Sequence, residues 1–330
     1  MKKTNVIVLL FLLAVLVAGV KADQFVTTNP ALTTPHSFNI EFVEVGDPCN
    51  AGTDGWQNTT ETLGDVAYKY RMGKTEVTVG QLAAMEYSIN GSTTGLTSTM
   101  AAGGVNTLRM LTYANWLNAG CPTGGNGLVD GGVYNMDWGY IEPWPNVEDQ
   151  WDNGDGTKNI WRHKDAKYFL PTEDELIKAA FYKGGSTNAG YWFYPTGSDT
   201  APVAEGASAG TNSANYAGAV AAALNAGSYP NTKSPYGALD MGGNLWEACE
   251  VRYSTGENQY MPGWAGCYIH GATWLHGMIG FEVRTGVYYD DLGFRIAAAP
   301  TPVVLSADFN NDGTVDACDL DIFSQQWLTE

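Results

Sequence analysis

The sequence predicts an α+β chain rich in ordered loops, ending in a small EF-hand-like module. Three observations carry this expectation. Forty glycines and only 16% charged residues among 330 speak for long loops rather than helical bundles. Helical and two-residue periodicities both occur, but only in short stretches. Beyond Pro300-Thr-Pro302, oxygen-bearing side chains follow the spacing of a calcium loop. With 44% hydrophobic and 12% aromatic residues a substantial core is available, and the length allows one large domain plus something small.

Residues 1–22 read as a signal peptide. Lys2-Lys3 form a positive start, Val6 to Val20 an apolar run, and Val20-Lys-Ala22 a cleavage site. The run is short for a membrane span, so no stable span is expected after cleavage, a retained anchor being the alternative. Removing Lys2, Lys3 and Lys21 takes the net charge from −18 to −21. Such a surface repels nucleic acid and attracts calcium, and the chain is expected outside the cytoplasm: secreted, at the cell surface or periplasmic. Residues 23–37, rich in Thr, Pro and Asn, read as a linker. The main domain is assigned to 38–298, with a second linker at 299–302 and the small module at 303–330.

Within the domain, 37–45 and 66–72 alternate and predict strands. Helical spacing predicts helices over 79–90 and 107–118, and Thr172 with Glu175 forms a capping box for a third, running to Tyr182. Residues 119–160 and 186–235 read as loop, with Asp152-Asn-Gly-Asp-Gly156 a solvated turn. Two short strands, near 271–275 and 293–297, are expected to complete the sheet. Glu173, Asp174 and Glu175 read as capping and solvated charge rather than acid–base machinery.

The most informative run is Tyr236-Gly-Ala-Leu-Asp-Met-Gly-Gly-Asn-Leu-Trp-Glu-Ala-Cys-Glu250. Gly242-Gly243 forbids a plain helix, and the pattern is not a plain strand. A tight loop with inward carbonyls, closed by Asp240 and Glu247 around a hard cation, is one reading. The other has Asp240 and Asn244 making turn hydrogen bonds while Trp246 fills a core.

This run resembles the D-M-x-G-N-V-W-E-W signature of the formylglycine-generating enzymes, the sulfatase-modifying factors. Other stretches resemble the family in the same order: Tyr70-Arg-Met-Gly-Lys-Thr-Glu-Val-Thr78, Leu170-Pro-Thr-Glu-Asp-Glu-Leu-Ile-Lys-Ala-Ala180, Ala214-Asn-Tyr216 with Gly227-Ser-Tyr-Pro230, His270-Gly-Ala-Thr-Trp274 and Leu292-Gly-Phe-Arg295. The resemblance spans about residues 38 to 298. It implies a loop-rich variant of the C-type-lectin-like fold with structural calcium. One family calcium site would fall on the side chains of Asp240 and Glu247 with the carbonyls of Gly243 and Leu245. The other would begin at Asn215-Tyr216, and its later acidic ligand has no clear equivalent here.

The family's activity, oxidation of a sulfatase cysteine to formylglycine, uses two copper-binding cysteines. The resemblance places His276 and Phe281 at those positions, so the expectation is a protein without that activity, acting as a binding or surface-assembly module. Trp274, Arg284 and Arg295 would be what remains of the pocket. The alternative is a metal-dependent oxidoreductase rebuilt around His276, with Cys267 and His270 as further ligands. Peptide, glycan or surface protein are the partner classes considered. Five cysteines permit two disulfides and leave one over, the pairing among Cys49, Cys121, Cys249, Cys267 and Cys318 being open.

The C-terminal loop places Asp308, Asn310, Asp312, Asp316 and Asp319 at positions 1, 3, 5, 9 and 12, with Gly313 at 6 and the carbonyl of Thr314 at 7. Aspartate at the last position and the following apolar face of Leu320, Phe323 and Trp327 resemble the dockerin repeat. A single repeat leaves half a degenerate module, an attachment tag or a partner-completed unit open, with a cohesin-type partner suggested.

Overall fold

The computed structural model describes residues 21–29, 32–53, 62–124, 132–137, 140–255, 258–276 and 280–301. Most of the signal-peptide reading and all ligands of the C-terminal loop lie outside these residues. Among the described residues, two five-stranded sheets and three helices frame the main core, with Ala214, Tyr216 and Leu275 forming a small second cluster. The first sheet runs, edge to edge, through Lys21–Asn29, Leu32–Val45, Tyr70–Gly73, Ala297–Ala298 and Tyr168–Phe169, with every neighbour antiparallel. The end of the domain is thus threaded between strands from its beginning and its middle. In the second sheet, Trp246–Ala248 lies between Asn258–Trp264, antiparallel, and Leu292–Gly293, parallel. Phe281–Arg284 and Tyr253–Thr255 also pair with Asn258–Trp264.

The expected linker at 23–37 is instead strand over 23–29 and 32–37. Phe25, Thr27 and Asn29 alternate inward, and Phe25 stacks on Phe38 at 5.2 Å while meeting Tyr168 edge-on at 5.0 Å. Asp23 takes the Arg71 guanidinium at 2.9 Å with both oxygens and the Tyr168 hydroxyl at 2.9 Å. The Thr- and Asn-rich composition concealed a period of two, which is what decides which side chains reach the core.

Helix α1 (Val79–Asn90) and helix α2 (Thr107–Asn118) occupy the stretches that helical spacing predicts. Thr78 and Gln81 cap α1 reciprocally, Gly91 ends it at φ +77°, and Asn106 caps α2. Helix α3 (Glu173–Phe181) starts at the Thr172–Glu175 capping box and ends one residue before the expected Tyr182. Residues 119–160 are not plain loop: Asn135–Asp137 pairs with Tyr140–Glu142, and Gln150–Asp152 with Lys158–His163. Asp152 to Gly156 forms the turn of the second hairpin, with Asp152 and Asp155 accepting from the amides of Gly154 and Thr157 at 2.8 Å. Of the two strands expected near the end, 271–275 is a turn of 3-10 helix at Ala272–Leu275, because Trp274 N–H closes back on Gly271 O. No helix among the described residues is long and apolar enough to cross a membrane.

Arg162 joins the hairpin, α3 and the second sheet. Its guanidinium, fully buried, donates to Glu175 at 2.9 and 2.8 Å and to Glu250 at 3.1 Å twice, and lies 3.6 Å over the Phe169 ring. Burial alone would raise the Glu175 carboxyl, but Arg162 outweighs it and holds the group below its ordinary value. Glu250 stays raised, since burial dominates there. Removing the cation leaves two buried carboxylates facing each other, an arrangement that costs about 3–5 kcal/mol. Arg162→Ala should therefore lose about that much stability in urea denaturation. An unchanged unfolding midpoint would show that water reaches the cluster.

Candidate metal loop and adjoining cleft

Four residues with positive φ fold the 236–250 run: Gly237 at +92°, Asp240 at +54°, Gly243 at +76° and Asn244 at +60°. Gly243 has a second reason to lack a side chain, because a Cβ there would stand 2.4 Å from the Asn215 carbonyl oxygen. The loop is then pinned by backbone bonds from Gly243 to Ala265 and from Asn244 to Asn215. Asn244 accepts from the Leu224 amide at 2.8 Å and donates to Glu76 Oε1 at 2.8 Å. Asp240 Oδ2 accepts from the amides of Gly227 at 2.5 Å and Ser228 at 3.2 Å.

Two oxygens are left over. Asp240 Oδ1 and Glu76 Oε2 are buried with no hydrogen-bond partner. Burial raises both carboxyls above their ordinary values; for Glu76 the neighbouring Asp240 adds to it, with Arg295 opposing. A hard cation is bound by such oxygens together with carbonyls, so Glu76 and Asp240 fit one. Glu247 does not offer itself in the same way. It is buried, and both of its oxygens accept from Arg295, one of them at 2.5 Å from Nε. Arg295 also donates to the carbonyls of Gly73 at 2.8 Å and Leu239 at 3.2 Å, so it clamps the loop rather than lining an exposed pocket. Asn215 is committed too, accepting from the Val220 amide and donating to Ala222 O and Asn244 Oδ1. Glu76 was not singled out in the sequence. Its signal was an acid beside Val77 in an alternating stretch, just before a helix cap.

His276 and Phe281, at the positions compared with the copper cysteines, stand in aromatic surroundings. The His276 ring lies 4.8 Å from Phe193 and 5.3 Å from Tyr194, and burial lowers its pKa. Phe281 packs 4.6 Å from Trp246, over Gly263, where a Cβ would meet its ring at 2.4 Å. Trp274 is partly exposed, with its ring 5.7 Å from Trp246, and Arg284 is exposed at the end of the same strand as Phe281. The expected Cys267–His270–His276 set does not form. His270 does reach Cys267, but Asp291 takes the third place. Cys49, Cys121, Cys249 and Cys267 are all free, so the described residues contain no disulfide.

Below this region lies a cleft of about 700 Å³ lined by Asp65, Tyr68, Trp161, Glu173, Asp174 and Arg252 among others. A smaller adjoining cavity of about 270 Å³ shares Glu173 and Arg252 and runs past Tyr253, Tyr260 and Trp264 to Phe281. Asp174, read from sequence as solvated charge, accepts from the Gly64 amide at 2.8 Å and is pushed up to about 7 by burial. Carboxylates outnumber cations on these walls, and the stacked Tyr253–Tyr260 pair adds a flat apolar face.

Residues 65–300 match the family model described as "Sulfatase-modifying factor enzyme 1-like domain". Among solved structures, Treponema denticola variable protein 1 is similar at 19% identity and TM-score 0.50, over 84% of this chain and 99% of that one. CarF is similar at 20% identity and TM-score 0.52, over 79% and 99%. PvdO from Pseudomonas aeruginosa aligns over 79% and 95%, at 15% identity and TM-score 0.48. These identities speak to the fold alone. No curated protein matches the chain.

The raised carboxyls of Glu76 and Asp240 set a pH dependence. Their stabilising, protonated forms are fully populated below the ordinary carboxyl range and are lost as pH rises through the raised folded values. Without added calcium, the melting temperature should fall as pH climbs above about 4. Saturating calcium and Glu76→Gln should each flatten that fall. A slope equal in wild type and variant, with and without calcium, would remove Glu76 and Asp240 as its source.

Proposed function

Because the chain belongs to the sulfatase-modifying factor enzyme 1-like family over residues 65–300, we propose that it is an exported, calcium-bound member that binds a partner instead of oxidising cysteine. The observation that carries this is the pair at the compared copper positions. Copper(I) suits two soft thiolates, and here stand an imidazole and a benzyl ring, the latter unable to ligate any metal. Calcium would be held by the unpartnered oxygens of Glu76 and Asp240 with the carbonyls of Gly243 and Leu245, and would brace a loop built from left-handed residues.

The partner, a peptide, glycan or surface protein, would dock in the cleft that ends at Phe281, where carboxylates and the tyrosine pair suit a cationic or sugar-like surface. The C-terminal repeat, with Asp308, Asn310, Asp312, Thr314, Asp316 and Asp319, would bind a second calcium and tether the protein to a cohesin-type or other surface partner. Cleavage after Ala22 would take Lys21 and Ala22 from the first strand and keep Asp23 with its bonds to Arg71 and Tyr168. A rebuilt oxidoreductase centred on His276 is disfavoured, since the metal-ligating cluster among the described residues does not include it.

A Cys-x-Pro-x-Arg peptide incubated with the protein, copper, reductant and oxygen decides the matter by mass spectrometry. The peptide should stay unmodified with wild type and with either His276→Cys or Phe281→Cys alone. Conversion of its cysteine to the aldehyde by the wild-type protein would overturn the binding-module reading.

A further inference from the structure

Beside the second sheet, Cys267, His270 and Asp291 bring a sulfur, an imidazole nitrogen and a carboxylate oxygen to within 4.8 Å of one another. His270 Nδ1 lies 2.9 Å from Cys267 Sγ, and the thiol donates to Asp291 Oδ2 at 3.2 Å. None of these residues takes part in the calcium loop or the cleft.

Their placement is held by backbone rather than by chance of side-chain rotamer. Ala265 at φ +72° and Gly266 at +66° turn the chain so that Cys267 points inward. The His270 amide closes on the Cys267 carbonyl at 3.1 Å, which fixes the two-residue spacing between the ligands. The carbonyls of Tyr268 and His270 receive the amides of Gly218 and Ala217, both at 2.8 Å. From the other side, the Asp291 carbonyl receives the Trp246 amide at 2.9 Å and so tethers the carboxylate to the sheet. Trp246 and Trp274 cover the imidazole at 5.1 and 5.3 Å between ring centres.

The donor set selects the ion. Calcium takes oxygen ligands, whereas one thiolate, one imidazole and one carboxylate suit a borderline divalent ion, zinc above all. A Cys-x-x-His pair with a third ligand from a distant strand end leaves the fourth tetrahedral position for water. Zinc–sulfur and zinc–nitrogen bonds of about 2.3 and 2.0 Å would separate the two atoms by about 3.6 Å. His270 and Asp291, only partly buried, can make that opening by small side-chain rotations. A cysteine nucleophile is the competing use of such a trio. Cys267 is 0% exposed, so its sulfur is closed to a substrate, whereas rotation of the partly buried His270 and Asp291 would admit an ion.

We propose that Cys267, His270 and Asp291 form a three-ligand zinc site with one open position, separate from the calcium loop. On binding, zinc replaces the thiol proton, which leaves to solvent, and no electron is transferred.

The test uses the full chain, reduced, stripped with a chelator and titrated with zinc, then with cobalt(II) as a spectroscopic stand-in. One equivalent of zinc should bind, and cobalt should give a thiolate charge-transfer band in the near ultraviolet. Cys267→Ser should abolish the band, and Cys49→Ser should leave it. His270→Gln and Asp291→Asn should each weaken zinc by at least the tenfold or so that loss of even an outer partner costs. Should Cys267→Ser fail to fold, the partly exposed His270 decides through its glutamine variant. No cobalt–thiolate band, a band that survives in folded Cys267→Ser, or unchanged zinc affinity in His270→Gln would overturn the proposal. Calcium gives no thiolate band, so these outcomes are independent of the calcium loop.

Discussion

A guanidinium sealed from solvent must be neutralised where it sits, and the fold is arranged around that demand at Arg162. Glu175 meets it while also capping α3 through Thr172 and receiving the Tyr68 hydroxyl at 2.6 Å. Glu250 meets it from just beyond the strand Trp246–Ala248, braced by Asn159. One cation thereby fixes where the helix begins, how the hairpin leans and where the second sheet ends. Because Glu173 and Asp174 follow directly from that helix start, the cleft wall takes its position from the same cluster. Such a buried network sets geometry more than it adds net stability over an apolar core.

The second sealed cation, Arg295, does for the loop what Arg162 does for the helix. It neutralises Glu247 and holds carbonyls from Gly73 and Leu239, tying the first sheet to the 236–250 run. With Glu247 satisfied, the excess negative charge of the region falls on Glu76 and Asp240. Two buried acids with unpartnered oxygens need either a proton or a cation, and in the proposed calcium-bound form the cation is calcium. This is the physical sense in which a loop-rich domain can lean on an ion where it has few long strands.

Local signals were legible in the sequence to the extent that their partners are local. Helical spacing placed α1 and α2, and the Thr172–Glu175 pair placed α3. The hairpins within 119–160 escaped because strands of three residues are too short to show a period. At 23–37 the polar composition outweighed an alternation that becomes meaningful only against Phe38 and Tyr168. The turn at 236–250 was readable from Gly242, Gly243 and Asp240. Its chemistry was not, since Glu76 and Arg295 arrive from segments distant in sequence, one just after Tyr70–Gly73 and one between Leu292–Gly293 and Ala297–Ala298. Likewise Cys267 and His270 announced themselves by spacing, whereas Asp291 is brought in only by the sheet pairing of Leu292.

Family membership and the proposed loss of oxidase chemistry are separable, and metal content tests the second. The purified chain is stripped, then reloaded in parallel with calcium and with copper under reducing conditions, and the bound metal is counted. The account predicts that calcium is retained by wild type and reduced in Asp240→Asn, with no copper whose binding depends on position 276. Stoichiometric copper that persists in Cys267→Ser and disappears in His276→Ala would contradict it.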